Sequence, residues 1–307
     1  MDDYDIVRIG EGSYHHLVTL IRRCFGYAVA LDQVRAKYAT KPFGAADIGF
    51  LAIARNGQPA AYYGVFPIIV ELLGEQLLAA QSGDTMTDPD HQKRGLFIKL
   101  AGLSYELAER SGVKFIFGFP NENSLPGFQR KLGWTFCGHL HDLKLATHGI
   151  PMCELSARWP WLAPYHAMVI RRHLAPPGAG ALRPATSLPD GLLRDDRFFR
   201  YKERNGAHWT TVGRVRFFVK PKVHLYVGEM DVPPGMSDEE LSAALISAGR
   251  KLLCGKVVCT YSENHPDFAR MARITKATRS LPIGYLDLGS GLPIDRLAFS
   301  RTDLDTF

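Results

Sequence analysis

One short stretch decides how this chain folds: Thr85-Met86-Thr87-Asp88-Pro89-Asp90-His91-Gln92-Lys93-Arg94-Gly95-Leu96-Phe97. A strand-like run ends at Thr87, a turn follows, and a helical pattern begins at Gln92. A glycine in the first turn of a helix lets a ligand approach the backbone closely. The first amides of a helix have no partner within it, and the helix dipole is positive at that end. The stretch therefore predicts an anion site that fits a pyrophosphate.

The sequence before this stretch predicts two helices and an antiparallel meander. Apolar residues recur at helical spacing over His15 to Phe25 and over Leu31 to Tyr38. Strand-like runs follow at Gly49 to Ala54, Ala60 to Val70 and Leu77 to Thr87. Because the dipeptide Asn56-Gly57 is a strong hairpin signal, we expect these strands to pair in antiparallel order.

The sequence after the stretch predicts a crossover connection. Apolar residues on one face extend the predicted helix from Gln92 to Arg110, and Val113 to Phe119 reads as a short buried strand. A strand, a helix and a strand in that order place the two strands side by side and parallel. A helix over Ser124 to Leu132 and a strand over Trp134 to Leu145 complete the first half.

The second half repeats this order of elements. Strands are predicted at Trp209 to Val219, Val223 to Met230 and Val257 to Ser262. A capping box at Ser237 to Glu240 opens a helix that reaches Leu253. The helix-breaking run Ala175 to Gly180 predicts a linker between the halves. We therefore expect an α/β protein with two mixed-sheet halves, the second a degenerate copy of the first.

Composition narrows the class of protein. The chain has 307 residues, of which 46% are hydrophobic and 22% charged, which is enough for two ordinary domains. No apolar run reaches the ~18 to 20 residues that span a bilayer, and the first residues are acidic, so we expect a cytoplasmic protein with no membrane partner. The net charge of +6 is modest and dispersed. A polyanionic cofactor or a phosphorylated substrate accounts for this charge at least as well as nucleic acid. Nucleic-acid binding usually needs a denser basic stripe or a recognisable module, so we expect no nucleic-acid partner.

The cysteines predict neither a zinc site nor a disulfide framework. They are scattered, without a Cys-x-x-Cys pair, at Cys24, Cys137, Cys153, Cys254 and Cys259. We expect them to be reduced and mostly buried, and we expect no metal. A nucleophilic Cys137 with His139 or His141 is an alternative that sequence proximity alone supports weakly.

Three motifs together resemble the GNAT superfamily of acetyltransferases. Gln92-x-x-Gly95 at a strand-to-helix turn is similar to the acetyl-coenzyme A signature of that superfamily. Asn121-Glu122-Asn123-Ser124 and Phe128-Gln129-Arg130-Lys131-Leu132-Gly133-Trp134 resemble two later motifs of the family, in the expected order. A Rossmann loop and a Walker loop are disfavoured, because Gly-x-Gly-x-x-Gly and Gly-Lys-Ser/Thr are both missing.

The resemblance implies a sheet that opens between the strands ending near Thr87 and Phe119, with coenzyme A in the gap. Backbone groups near Met86 and Thr87 would bind the pantetheine arm, and Asn121 would contact it from the other side. The cofactor-binding residues implied are Met86, Thr87, Gln92, Lys93, Arg94, Gly95, Leu96, Phe97, Asn121, Ser124 and Phe128. The domains implied are an acetyl-CoA-binding GNAT domain over 1–148, a connecting segment over 149–190, and a degenerate GNAT-like domain over 191–307 that shapes the acceptor site.

Two positions depart from the family pattern. Phe97 replaces a small signature residue. The tyrosine that often protonates the departing thiolate has no counterpart, since that part of the helix offers Phe128 or Gln129. A thiolate with a pKa near ~8 to 9 can leave without a dedicated acid or with water, so the departure weakens the mechanism without excluding it.

The catalytic and acceptor residues are less constrained. Direct attack by an amine needs a proton acceptor, for which we favour Asp84 on the strand that enters the cofactor turn. Glu122 and His91 are the alternatives. Asp84 and Arg200 are the candidate acceptor contacts, although alternating aromatic and basic residues in the second half are more typical of a half-buried strand.

The sequence thus predicts an acetyl-CoA-dependent N-acetyltransferase that is a monomer or a homodimer. The two-half outline and the closing Asp303-Leu304-Asp305-Thr306-Phe307 resemble bacterial GNAT members linked to surface-polysaccharide synthesis. That resemblance implies an amino sugar, either free or nucleotide-linked, as acceptor. A peptide or antibiotic amine is one alternative acceptor. A non-catalytic acyl-CoA sensor is an alternative of a different class.

Overall fold

The computed structural model describes residues 3–176 and 188–307 and divides the chain into two compact units. The first unit comprises Met1–Cys137 and Pro282–Asp295, and the second comprises Gly138–Leu281 and Arg296–Phe307. Most of the predicted linker lies outside the described residues. The functional division into 1–148, 149–190 and 191–307 stays a prediction.

The first unit follows the predicted order of elements. Its elements are β1 (Tyr4–Arg8), α1 (Tyr14–Phe25), α2 (Leu31–Tyr38), β2 (Ile48–Ala54), β3 (Pro59–Leu72), β4 (Glu75–Thr87), α3 (Leu96–Arg110), β5 (Phe115–Gly118) and α4 (Leu125–Lys131). The predicted start of α3 at Gln92 is wrong, because Lys93 and Gly95 have φ angles of +62° and +75°. A left-handed residue cannot continue a right-handed helix, so α3 begins only after Gly95.

The sheet of the first unit runs β1-β2-β3-β4-β5 and is completed by Gly284–Asp287, which pair antiparallel with β5. The parallel pairing of β4 with β5 is confirmed, but it consists only of Ala80 with Ile116 and Gln81 with Phe117. The described residues show no β4–β5 register pair beyond these. The remainder of β4 therefore has an edge that β5 does not cover.

Helices cover both faces of this sheet. Successive strand residues point to opposite faces, and on β3 Tyr62 packs with the α1 and α2 residues while Tyr63 packs with α3 and α4. Leu17 and Leu20 of α1 are fully buried on one face, and Leu100 of α3 is fully buried on the other. The amphipathic spacing read from the sequence produces this layering.

The second unit contains more elements than the sequence predicts. They are β6 (Thr135–Ala146), α5 (Met152–Arg158), α6 (Ala163–Arg171), β7 (Gly191–Leu192), α7 (Asp196–Arg204), β8 (His208–Val212), β9 (Val215–Pro221), β10 (Leu225–Asp231), α8 (Asp238–Lys251), β11 (Lys256–Ser262), α9 (Pro266–Ile274) and β12 (Ala277–Asp287). The ends Thr135–Cys137 of β6 and Pro282–Asp287 of β12 belong to the first unit. The prediction of a single strand over Trp209 to Val219 is wrong, because these residues form a hairpin that turns at Gly213, where φ is +57°.

The repeated order of elements is confirmed. In the second unit an antiparallel meander of β8, β9 and β10 leads through α8 to β11, which pairs in parallel with β10. Each unit also has a register irregularity in the strand before its crossover helix. In β4 the irregularity lies opposite Tyr63, and in β10 it lies at Gly228.

A C-terminal segment packs where β10 and β11 stop pairing. The amide of Ser262 on β11 donates to the carbonyl of Phe299 at 2.9 Å. A β-carbon on Gly228 of β10 would lie 2.2 Å from the hydroxyl of Thr302 and 2.6 Å from the ring of Phe307, so only glycine fits there. The C-terminal segment that contains Phe299, Thr302 and Phe307 is thereby held to β10 and β11.

A buried ion pair network fixes the same segment. Arg194, whose side chain is 1% exposed, contacts Glu229 at 2.8 Å and Asp303 at 2.7 Å. Removal of one partner from such a network leaves an uncompensated buried charge. Asp303 and Phe307 of the closing Asp-x-Asp-x-Phe are thus part of the core of the second unit.

The cysteines depart from expectation. Cys153 and Cys254 form a disulfide with their Cα atoms 5.2 Å apart, so the expectation that all cysteines are reduced is wrong for this pair. The partners are 101 residues apart in sequence, and no spacing pattern reveals them. Cys137 contacts the carbonyl of Ile283, while the His139 ring contacts Arg279, so the hydrogen bonds of neither residue indicate a Cys/His nucleophile pair.

No helix within the described ranges is both long enough and apolar enough to cross a bilayer.

Replacement of the buried Phe307 should destabilise the second unit. Phe307 is 2% exposed and its ring lies 5.9 Å from that of Phe218, so we expect Phe307→Ala to lower the free energy of unfolding by about 3 to 5 kcal/mol in urea denaturation. Val223→Ala, at a site 46% exposed in the same unit, should change it by less than about 0.5 kcal/mol. Equal effects of the two variants would show that the segment is not part of the core.

Candidate active site

The backbone between β4 and α3 presents a row of unpaired amides. Within the described residues, the backbone N–H groups from Gln92 to Ile98 have no hydrogen-bond acceptor. Lys93 and Gly95 are left-handed, which turns successive N–H groups toward one side and forms the kind of concavity that binds anions. The positive end of the α3 dipole lies at the same place. The free amides therefore belong partly to the turn, at Gln92 to Gly95, and partly to the first turn of α3, at Leu96 to Ile98.

Two contacts to other elements hold this turn in place. Arg23 of α1 forms a bidentate ion pair with the buried Asp88, and it also contacts Asp90 at 2.9 Å. The Arg23 guanidinium keeps the pKa of the Asp88 carboxyl below its usual range. On the other side the Tyr4 hydroxyl lies 2.8 Å from Nδ1 of His91. His91 therefore has a partner that anchors the turn, which weighs against the alternative that it is a free base.

A pocket of about 380 Å³ opens beside the start of α3. Its lining comprises Asp3, Tyr4, Arg94, Gly95, Leu96 and Lys99. The two basic side chains make the pocket suitable for an anionic group, with one carboxylate opposing them.

Asp84 lies on the uncovered part of β4, at the register irregularity. Its φ of +52° is unusual for a residue other than glycine, although Asp and Asn adopt this region more readily than most. One carboxylate oxygen contacts Nζ of Lys37 at 2.6 Å, and the other accepts from the Tyr38 hydroxyl at 3.1 Å. The predicted base is thus a charged carboxylate that α2 holds in a fixed orientation. Lys37 and Tyr38 were not identified from the sequence, because the distance along the chain hides the contact.

The segment between β5 and α4 is capped by its own side chain. Oδ1 of Asn121 accepts from the amides of Asn123 and Ser124 at 3.0 and 3.1 Å, and it also accepts from the Ser124 hydroxyl. The side-chain oxygen of Asn121 is therefore already hydrogen-bonded, and its side-chain nitrogen Nδ2 is the group that can face a ligand. Glu122 is exposed beside it.

Several predicted cofactor residues are core residues. Phe128 is 4% exposed and packs edge-to-face against Phe97 and Trp134. Met86 is buried against α1 and α2, and Leu96 is also buried. These side chains offer a ligand little surface, so any contact they make would have to use mainly their backbone.

The structure explains the departure at Phe97. A β-carbon on Gly127 of α4 would lie 2.6 Å from the Phe97 ring. The missing side chain at Gly127 therefore makes room for the large residue at the start of α3. The ring fills space between the two helices.

A chain of hydrogen bonds reaches the uncovered edge of β4. The Ser82 hydroxyl lies 2.8 Å from the Tyr63 hydroxyl, which lies 3.0 Å from that of Tyr105. Nε1 of Trp134 donates to the Tyr105 hydroxyl at 2.9 Å. Of these residues the sequence signalled only Trp134, as part of a family motif.

Arg200 lies on α7 in the second unit. Its side chain is 69% exposed and makes a long contact of 3.8 Å with Asp196 on the same helix. Its assignment as an acceptor contact stays a prediction. Within the described ranges no group of three or more His, Cys, Asp or Glu residues is arranged to hold a metal ion.

A family comparison agrees with the geometry of the first unit. Residues 5–137 match the family model described as "Acetyltransferase (GNAT) domain". These residues are a GNAT acetyltransferase domain, and the chain is an acyltransferase. A search of curated proteins found no match.

Solved structures extend the likeness in fold to nearly the whole chain. A GCN5-related N-acetyltransferase from Kribbella flavida is 15% identical, with a TM-score of 0.57 over 93% of this chain and 72% of that one. A putative acetyltransferase from Pyrococcus horikoshii is 13% identical, with a TM-score of 0.55 over 96% and 93% of the two chains. A probable N-acyltransferase from Enterococcus faecalis is 10% identical, with a TM-score of 0.59 over 94% and 73%. At these identities the likeness shows the fold alone, and it covers both units.

Proposed function

We propose that this protein is an acetyl-CoA-dependent N-acetyltransferase in which the first unit binds the acyl donor. The observation that carries the proposal is the row of unpaired amides from Gln92 to Ile98, beside a strand edge that β5 leaves uncovered. Amides without partners at a helix start bind phosphate oxygens well. The free edge of β4 offers further backbone groups to an extended amide-containing arm.

The proposed cofactor contacts follow from this arrangement. The pyrophosphate lies against the amides of Gln92 to Phe97, with Lys93 and Arg94 adding positive charge. The pantetheine arm follows β4 along Thr87 and Met86, and the Asn121 amide and Ser124 approach from β5. Phe128 supports the site from the core rather than through its side-chain surface.

The proposed reaction is direct attack of a neutral amine on the thioester carbonyl. The carbon–nitrogen bond forms, the carbon–sulfur bond breaks, and coenzyme A leaves as the thiolate. The amine loses a proton, which we assign to Asp84. Its charged carboxylate attracts the acceptor's ammonium form as well, although the base must compete with Lys37 for the same oxygens. Glu122 is the alternative proton acceptor.

For the acceptor we propose an amino sugar, either free or linked to a nucleotide. The net charge of +6 favours an acceptor that carries phosphate over a strongly cationic peptide or antibiotic. The missing tyrosine on α4 is the observation that favours the other candidate, a non-catalytic acyl-CoA-binding protein. Release of free thiol from acetyl-CoA with any amine of a panel would eliminate that candidate.

Substitution of Gly95 should weaken coenzyme A binding. Alanine at φ +75° costs about 1 to 2 kcal/mol and would shift the free amides, so we expect Gly95→Ala to raise the dissociation constant at least ten-fold in calorimetric titration. Gly74→Ala is the matched control: its φ is +80°, and like Gly95 it has nothing within 4 Å of an added β-carbon. The control should lose similar stability and bind normally. Wild-type protein without affinity for coenzyme A would overturn the proposed function.

Substitution of Asp84 should slow turnover without weakening donor binding. Asparagine tolerates the left-handed backbone, so Asp84→Asn removes the charge and largely spares the fold. We expect kcat to fall about 10²- to 10⁴-fold in a thiol-release assay, with unchanged affinity for coenzyme A. Glu122→Gln should stay within about two-fold of wild type. The reverse pattern would transfer the role of base to Glu122.

A further inference from the structure

The hydrogen-bond chain from Trp134 to Ser82 has a direction. The indole Nε1 is only a donor, so the Tyr105 hydroxyl accepts from it. The Tyr105 proton then has one acceptor among the described residues, the Tyr63 oxygen. The Tyr63 proton in turn goes to the Ser82 oxygen. The opposite direction would leave the hydroxyl proton of the partly buried Tyr105 without an acceptor among the described residues.

This direction leaves the Ser82 hydroxyl with a proton that the chain does not use. Ser82 is the first residue of β4 beyond the Gln81–Phe117 pair, so it lies where the two strands begin to separate. A β-carbon on Gly118, at the end of β5, would lie 3.3 Å from the β-carbon of Ser82. The Trp134 ring would lie equally close to that added β-carbon, so Gly118 lets Ser82 and the indole approach each other at the end of β5, while Ser82 itself stays partly exposed.

The thioester is the end of the cofactor farthest from the pyrophosphate. With the pyrophosphate at the amides after Thr87, an arm that follows β4 inward brings the sulfur toward the point where the strands separate. We propose that the Ser82 hydroxyl donates a hydrogen bond to the departing sulfur and so takes the place of the tyrosine that α4 lacks. The proposal rests on the proposed function. Tyr63 and Tyr105 are positioning residues that act through Ser82.

Burial makes the two tyrosines suitable for this task. It raises the pKa of Tyr105 to about 12, and it raises that of Tyr63 well above its usual value. Both hydroxyls therefore stay protonated throughout the neutral range and keep donating. Polarisation along a chain of hydrogen bonds strengthens the last donor. The thiolate is stabilised as its charge develops, while the proton of the attacking amine leaves by the separate route at Asp84.

The test is a double-mutant cycle in the thiol-release assay, on protein that binds coenzyme A. We expect Ser82→Ala to lower kcat ten- to hundred-fold with KM for acetyl-CoA within two-fold of wild type, and Ser82→Thr to restore most of the rate. Tyr63→Phe should lower kcat three- to ten-fold. The double variant should be no slower than Ser82→Ala, because Tyr63 acts only through Ser82. Ser111→Ala, which removes a hydroxyl bonded to Leu107 at the end of α3, should match wild type.

Several results would overturn the proposal. An unchanged kcat in Ser82→Ala would do so, as would a rise in KM alone or additive effects of the two substitutions. Tyr63→Phe with the full effect while Ser82→Ala has none would assign the donor to Tyr63. Failure of the wild-type protein to bind coenzyme A would contradict the proposed function itself. That result is obtained before any variant is made, so it is distinguished from a failure of the Ser82 proposal.

Discussion

The separation of β4 from β5 is the constraint on which the rest of the site depends. Only two residue pairs join these parallel strands, and beyond Gln81 the edge of β4 has no cover from β5. Exposed strand edges normally invite pairing with another backbone. Here the edge ends at a turn whose amides are also unpaired. In the proposed function one extended ligand would satisfy both. The ion pair of Arg23 with Asp88 then holds the turn at the end of that edge.

Sequence reasoning succeeded where a local pattern determines the structure. Hydrophobic periodicity gave the strands and helices of the first half, and the capping box at Ser237 gave the start of α8 within one residue. The predicted helix start at Gln92 was wrong because a periodic pattern does not reveal that Lys93, as well as Gly95, is left-handed. It also missed α5 and α6, which lie in a segment treated as a connection.

The candidate site likewise has one part that the sequence predicts and another that it does not. The amides of the turn follow from a glycine near a helix start, which a sequence displays. Lys37 beside Asp84 and Tyr105 beside Tyr63 are contacts between distant segments, so only the folded chain reveals them. The disulfide between Cys153 and Cys254 is hidden for the same reason. Motifs thus predict the donor site that we propose, whereas the contacts among the candidate base and the hydroxyl groups are visible only in the folded chain.

The strand that completes the first unit has a consequence for how the chain acquires its structure. Gly284–Asp287 pair with β5, so the sheet of the first unit receives its last strand from residues far along the chain. During synthesis from the N-terminus, Phe115 to Phe117 emerge long before that partner exists. Loop closure over so long a separation is slow, and an apolar strand waiting for it is exposed to aggregation. A fragment ending near Cys137 should therefore be poorly behaved in isolation, even though it spans the acetyltransferase domain.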